Sequence, residues 1–138
     1  MAHTSVKLSI PAAAEQVWET LRDFGGVKRW VPGVASLSLS GAGVGAVRTI
    51  TFDDGSKSVE RLESLNDASC SLTYAILESS LPVAGYIGSL TVKDLPVGCE
   101  VEWYSTFGAK GAAESDATRL VEEKCRQALA GLQRFLRT

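Results

Sequence analysis

From Ala35 to Phe107 apolar and polar residues alternate almost without a break, and the interruptions carry Gly, Pro, Asn or Asp. A period of two sends successive side chains to opposite faces of a sheet. The stretch therefore reads as six strands, at about residues 35–40, 46–52, 57–65, 69–78, 85–93 and 100–107. Their links are short, so the strands should pair antiparallel. Upstream, Val6, Leu8 and Ile10 alternate with Lys7 and Ser9 in a first strand that Pro11 ends. The segment PAAAEQVWETLRDF then predicts a helix, with Pro11 in its first turn and Val17, Trp18 and Leu21 on its buried stripe. A second short helix fits GGVKRWVPG, stopped before Pro32.

The period changes once more at the end. Over about residues 113–137, Ala117, Val121, Cys125, Ala128, Leu132, Phe135 and Leu136 share one side of a helix, with Glu123, Arg126, Arg134 and Arg137 opposite. Strand, two helices, six strands and a long helix make an α+β fold, with the last helix across one face of an antiparallel sheet. At 138 residues a single domain over 1–138 is expected.

That helix has a size gradient. Ala113, Ala117, Val121 and Cys125 lead into Leu132, Phe135 and Leu136. At its small-residue end the helix either sits closer to the sheet or leaves a gap, and a gap lined by a few polar groups is the usual form of a small-molecule site. Gly131 costs the helix about 1 kcal/mol relative to Ala and fits a close approach.

Other functions find little footing. A net charge of -2 and a pI near 5.4 argue against a nucleic-acid surface. No apolar run reaches the ~18 residues of a membrane span, and the N-terminus lacks a secretory h-region, so a cytoplasmic location is expected. The three cysteines, Cys70, Cys99 and Cys125, have neither disulfide nor zinc spacing and read as small buried residues. The one histidine, His3, stands near an end expected to fray, so no His-based triad or metal site is expected, and no cofactor. GAGVGA fits a dinucleotide fingerprint, but a strand rather than a helix follows it.

Charges inside the strands pose a sharper problem. A two-residue turn at Asp54-Gly55 would set Arg48 across from Arg61, which is unfavourable. A three-residue loop, Asp53-Asp54-Gly55, sets Phe52 across from Ser56, Ile50 across from Ser58, and Arg48 across from Glu60. The ion pair then shares a face with Ile50, Phe52 and Leu62, the more apolar of the two. Charge pattern alone leaves two placements open: inside, or solvated on the outer face, where such a pair contributes ~0–1 kcal/mol.

In order and spacing, IPAAAEQVWETLRDF, RWVPGV, GVGAVRTITF, DGSKSVERLESL, LTYAI, LPVAGY and VEWYSTF resemble the Bet v 1/START-like (SRPBCC) superfamily, over about residues 5–136. The chain looks like a polyketide cyclase/dehydrase-like bacterial member and is similar at a distance to the plant abscisic-acid receptors. The resemblance implies a helix-grip fold: a curved seven-stranded antiparallel sheet around a long C-terminal helix, two short helices after the first strand, and an enclosed apolar cavity. In the receptor branch the positions matching Arg48 and Glu60 point into that cavity, as do those matching Tyr74, Ile76 and Tyr86, and Lys28 or Arg29 lies near a ligand-pairing lysine. The loop FDDGSKS lacks the receptors' gate sequence and LPVAG lacks their latch arginine, so hormone reception is not implied.

Trp103, Ser105 and Phe107 alternate with Glu102, Tyr104 and Thr106 and should face inward, Trp103 as core or as a ligand platform. Trp30, beside a Pro-Gly turn, caps a cavity mouth or packs in the core. Lys124, at the edge of the helix stripe, should snorkel to water. The expected function is binding of a small hydrophobic or amphipathic molecule. Arg48 and Glu60 would orient its polar end. Ile50, Leu62, Tyr74, Ile76, Tyr86 and Trp103 would surround its body, with Trp30, Leu81, Ser105 and Val121 completing the site. The alternatives are a cyclase or dehydratase using Glu60 or a tyrosine as acid/base, and a protein-interaction module. Oligomeric state is not legible.

Overall fold

The computed structural model describes residues 1–137. Strand β1 (Ala2–Ile10) leads into helix α1 (Ala14–Leu21) and a 3-10 helix (Phe24–Arg29). Strands β2 (Val34–Ser40), β3 (Val47–Phe52), β4 (Lys57–Asn66), β5 (Ser71–Ser79), β6 (Val83–Asp94) and β7 (Cys99–Ala109) follow, and α2 (Glu114–Leu136) closes the chain. The seven strands form one antiparallel sheet in the order β1-β7-β6-β5-β4-β3-β2. It is the curved open sheet with a long C-terminal helix of the helix-grip α+β fold. Register shifts in β2, β4 and β6 bend the sheet, as bulges do. The core fills the concave side, with Val17, Leu21, Val101, Phe107, Leu129 and Leu132 all buried. Among the described residues no helix is long and apolar enough to cross a membrane.

Several local expectations need correction. The N-terminal strand is not frayed: it pairs from Ala2 onward, His3 opposite Thr106. Pro11 precedes α1 rather than opening it, because Ala12 N–H turns back to the Ile10 carbonyl and the helix starts only at Ala14. Cys70 is only half-buried and takes φ +50° in the turn before β5, so the strand begins two residues later than the alternation indicates. Ala113 is exposed, and Phe135 and Leu136 are half-buried.

Two contacts tie the helices to the sheet. Trp18 Nε1 and Arg22 Nε each donate to the Asp67 carboxylate at 2.8 Å, fastening α1 to the β4–β5 turn. These hydrogen bonds, Trp18's first, hold the Asp67 carboxyl below its ordinary range. Gly131 brings α2 against the segment after the 3-10 helix, where a Cβ would come within 2.2 Å of the Trp30 carbonyl oxygen.

Candidate functional site

The β3–β4 hairpin sets the site's charged floor. Phe52 N–H donates to the Ser56 carbonyl at 2.9 Å, and Gly55 takes φ +86°, the left-handed residue a three-residue loop needs. Asp54 accepts from Ser56 Oγ at 2.6 Å and from its N–H at 2.9 Å, which lowers the Asp54 pKa. This loop pairs Arg48 with Glu60 and Ile50 with Ser58. All four are buried, so the ion pair faces inward. Arg48 Nε donates to Glu60 Oε1 at 2.8 Å, and Nη2 lies 2.6 Å from the same oxygen. Arg48 Nη1 donates to the Phe24 carbonyl at 3.0 Å, and the guanidinium carbon sits 3.8 Å from the Phe24 ring centroid. Ser58 Oγ donates to Glu60 Oε2 at 2.8 Å. Both carboxylate oxygens are thus engaged.

A second polar group crosses three strands. Trp103 Nε1 on β7 donates to Tyr74 Oη on β5 at 3.0 Å. Tyr74 Oη lies 3.0 Å from Tyr86 Oη on β6, which lies 2.6 Å from Ser105 Oγ on β7. Gly88, opposite Tyr74, leaves room for its ring, since a Cβ there would fall 2.6 Å from ring carbons. Burial raises the pKa of both tyrosines well above the ordinary phenol value and pushes the Cys125 thiol up to about 12. All three groups are therefore protonated near neutral pH.

These groups border a cavity of about 340 Å³ between the sheet and α2. Its exposed rim comes from Asp54 and Lys57 of the hairpin, Ser80 of the β5–β6 connection, and Leu120 and Lys124 of α2. Lys124 reaches solvent, and its Nζ lies 4.3 Å from the Phe52 ring centroid.

Of the residues singled out in the sequence, Trp30, Arg48, Ile50, Glu60, Tyr74 and Ile76 line this cavity. Leu81, Tyr86, Trp103 and Val121 line it as well. Leu62 and Ser105 do not. Leu62 lies two residues farther from the hairpin turn, where the packed core closes the space, and Ser105 meets the cavity only through the Tyr86 hydroxyl. Trp30 is not a mouth cap: it is buried edge-on to Trp103, ring centroids 6.4 Å apart. Lys28 and Arg29 are exposed and outside the cavity, Arg29 paired with Asp23 at 3.0 Å. The gap along α2 runs from Leu120 to Ala128, while Ala117 is fully buried and borders none of it. Sequence reasoning missed Leu21, Val27, Leu72, Leu90 and Ala128 as lining residues. Their apolar periodicity marks them as inward-facing without distinguishing core from cavity wall.

Over residues 1–137 the chain matches the family model described as polyketide cyclase / dehydrase and lipid transport. Among solved structures it is similar to an uncharacterised protein from Bacillus thuringiensis, 33% identical over 98% of this chain and 99% of that one, with a TM-score of 0.90. It is similar to the protein XoxI from Bacillus cereus, 32% identical over 99% and 96%, also with a TM-score of 0.90. A protein from Nitrosospira multiformis, 21% identical over 96% and 94% with a TM-score of 0.80, shares the fold. No protein among the curated sequences matches the chain.

Proposed function

The chain belongs to the polyketide cyclase / dehydrase and lipid transport family, and from that premise we propose that it binds a small hydrophobic or amphipathic molecule between the sheet and α2. The observation that carries this reading is the cavity itself. At about 340 Å³ it is within the range of about 300–1,000 Å³ common to small-molecule sites. Its wall is mostly apolar, with Ile50, Leu72, Leu90, Val121 and Ala128 around the two buried polar groups. A void of this size that stayed empty would forfeit packing its lining atoms could otherwise make. The open rim at Lys57, Ser80 and Lys124 gives an amphipathic guest a wet end and a dry one.

The test uses native mass spectrometry for a co-purified small molecule and titration with phenylnaphthylamine, an uncharged apolar dye. Wild-type protein is expected to take up the dye with a rise in its fluorescence. Val121→Trp, whose indole would occupy the void, is expected to keep its far-UV circular dichroism and lose dye uptake. A wild-type protein that takes up no dye and carries no small molecule overturns the reading, as does undiminished uptake by V121W.

A further inference from the structure

The chain of hydrogen bonds from Trp103 through Tyr74 and Tyr86 to Ser105 holds one more donor than its own acceptors use. Indole nitrogen only donates, so the Trp103-to-Tyr74 bond has a fixed direction. Beyond it, the hydroxyls of Tyr74, Tyr86 and Ser105 form two oxygen–oxygen links. Each link consumes one proton, so one of the three hydroxyl protons is left over. Left on Ser105, it is stranded, because that side chain is fully buried and has no other hydrogen-bond partner among the described residues. Left on Tyr86, its protein partner among the described residues is the Cys125 thiol, a weak acceptor. Left on Tyr74, it faces the cavity, and the chain runs unbroken from Ser105 through Tyr86.

No other side chain of the wall is hydrogen-bonded to this hydroxyl among the described residues. Glu60 already accepts from Arg48 and Ser58, and the Phe24 carbonyl accepts from Arg48. The remaining orphan in the wall is also a donor. Trp30 Nε1 is buried and has no partner among the described residues, and its ring borders the same cavity. The leftover Tyr74 proton thus opens onto the cavity, where an oxygen of the guest can accept it.

We propose that Tyr74 orients the ligand: its hydroxyl, accepting from Trp103 and Tyr86, donates to an oxygen acceptor on the bound molecule. This rests on the binding reading above and narrows it, since the cavity then selects carbonyl- or ether-type oxygen over a hydrocarbon of the same shape. Hydrogen bonds accepted by a hydroxyl polarise the one it donates, which strengthens Tyr74 as a donor.

Acetylnaphthalene and ethylnaphthalene, alike in shape and differing in one oxygen, make the test. Tryptophan fluorescence gives their Kd values, and infrared difference spectra give the carbonyl stretch of the bound ketone. Wild-type protein is expected to prefer the ketone about fivefold, with the carbonyl band moved to lower frequency. In Tyr74→Phe the preference and the band shift are lost while ethylnaphthalene affinity is kept. Trp103→Phe, which deletes one of the two bonds Tyr74 accepts, gives a smaller shift, and Trp30→Phe leaves the wild-type shift in place. Undiminished shifts in both Y74F and W103F overturn the assignment, as does loss of the shift in W30F. Equal binding of both probes by wild-type protein overturns it while the binding reading stands. Exclusion of both probes overturns the binding reading itself.

Discussion

Arg48 and Glu60 carry opposite charges into a place where either alone would be costly. Each is less than 10% exposed, and their hydrogen bonds close on one another, on Ser58 and on the Phe24 carbonyl. Glu60→Ala strands a buried guanidinium, so urea denaturation is expected to show a loss of about 3–5 kcal/mol. The double substitution Arg48→Met with Glu60→Leu removes both charges at similar volume and is expected to recover most of that loss. A double variant as unstable as E60A would mean that the pair's worth lies in the bond to Phe24 and not in mutual neutralisation. The pairing was legible in the sequence because, of the two turn lengths that the hairpin's Asp-Asp-Gly suggests, the three-residue loop avoids setting Arg48 against Arg61. The Trp103–Tyr74–Tyr86–Ser105 chain was not. It depends on the register of β5, β6 and β7, and β6 shifts by a bulge in the very stretch that holds Tyr86. Strand parity says which face a side chain takes, not how deep it lies, which is why Leu62 and Ser105 point inward without reaching the cavity.

Among the elements, α2 decides where the interior is solid and where it is hollow. Gly131 is the point of closest approach, with a hypothetical Cβ 2.2 Å from the Trp30 carbonyl oxygen and 2.8 Å from Pro32 Cδ. Two effects oppose each other in Gly131→Ala. Helix propensity gains about 1 kcal/mol, while forced overpacking against backbone typically costs about 1–3 kcal/mol. The neighbour is a carbonyl held in a turn rather than a flexible side-chain end, so the clash should prevail and G131A should lower the midpoint of thermal unfolding. A higher midpoint would show that α2 can lift off the Trp30 turn at little cost. The glycine's close approach was readable from its place in an otherwise good helix. The gap's position was not: small residues run from Ala113 to Cys125, yet the void spans Leu120 to Ala128. Where helix and sheet separate depends on the bending that bulges in β4 and β6 impose, and those bulges leave no fixed mark in the alternation.

For the molecule as a whole, the cavity concentrates groups that must stay protonated, and that shapes stability against pH. Tyr74, Tyr86 and Cys125 all border it, and burial raises the pKa of each in the folded protein. In the unfolded chain a thiol ionises near pH ~8.5 and a tyrosine near pH ~10. A raised folded pKa means that the contribution is complete below those values and is lost as pH rises above them, because the unfolded state then releases protons that the folded state keeps. Each such group adds a slope of up to about 1.4 kcal/mol per pH unit. Denaturant midpoints should therefore begin to fall above pH ~8.5 and fall faster above pH ~10. Cys125→Ala is expected to lessen the slope of the first segment, to which the buried Cys99 thiol, also pushed up by burial, contributes as well, and the Tyr74→Phe, Tyr86→Phe double variant that of the second. The acid side has the opposite sign. Asp67, held below its ordinary range by Trp18 and Arg22, contributes above the unfolded carboxylate value and loses that contribution as pH falls through its lower folded one, and Asp67→Asn should remove that dependence. Because Asp67 lies in the β4–β5 turn and the tyrosines line the cavity, the Asp67 contribution and the alkaline fall report on different parts of the molecule. A ligand filling the cavity should raise the midpoints at every pH and delay the alkaline fall, without moving the pH at which the Asp67 contribution is lost. A guest that raised the midpoints equally across pH without delaying the alkaline fall would leave the surroundings of the two tyrosines and Cys125 unchanged.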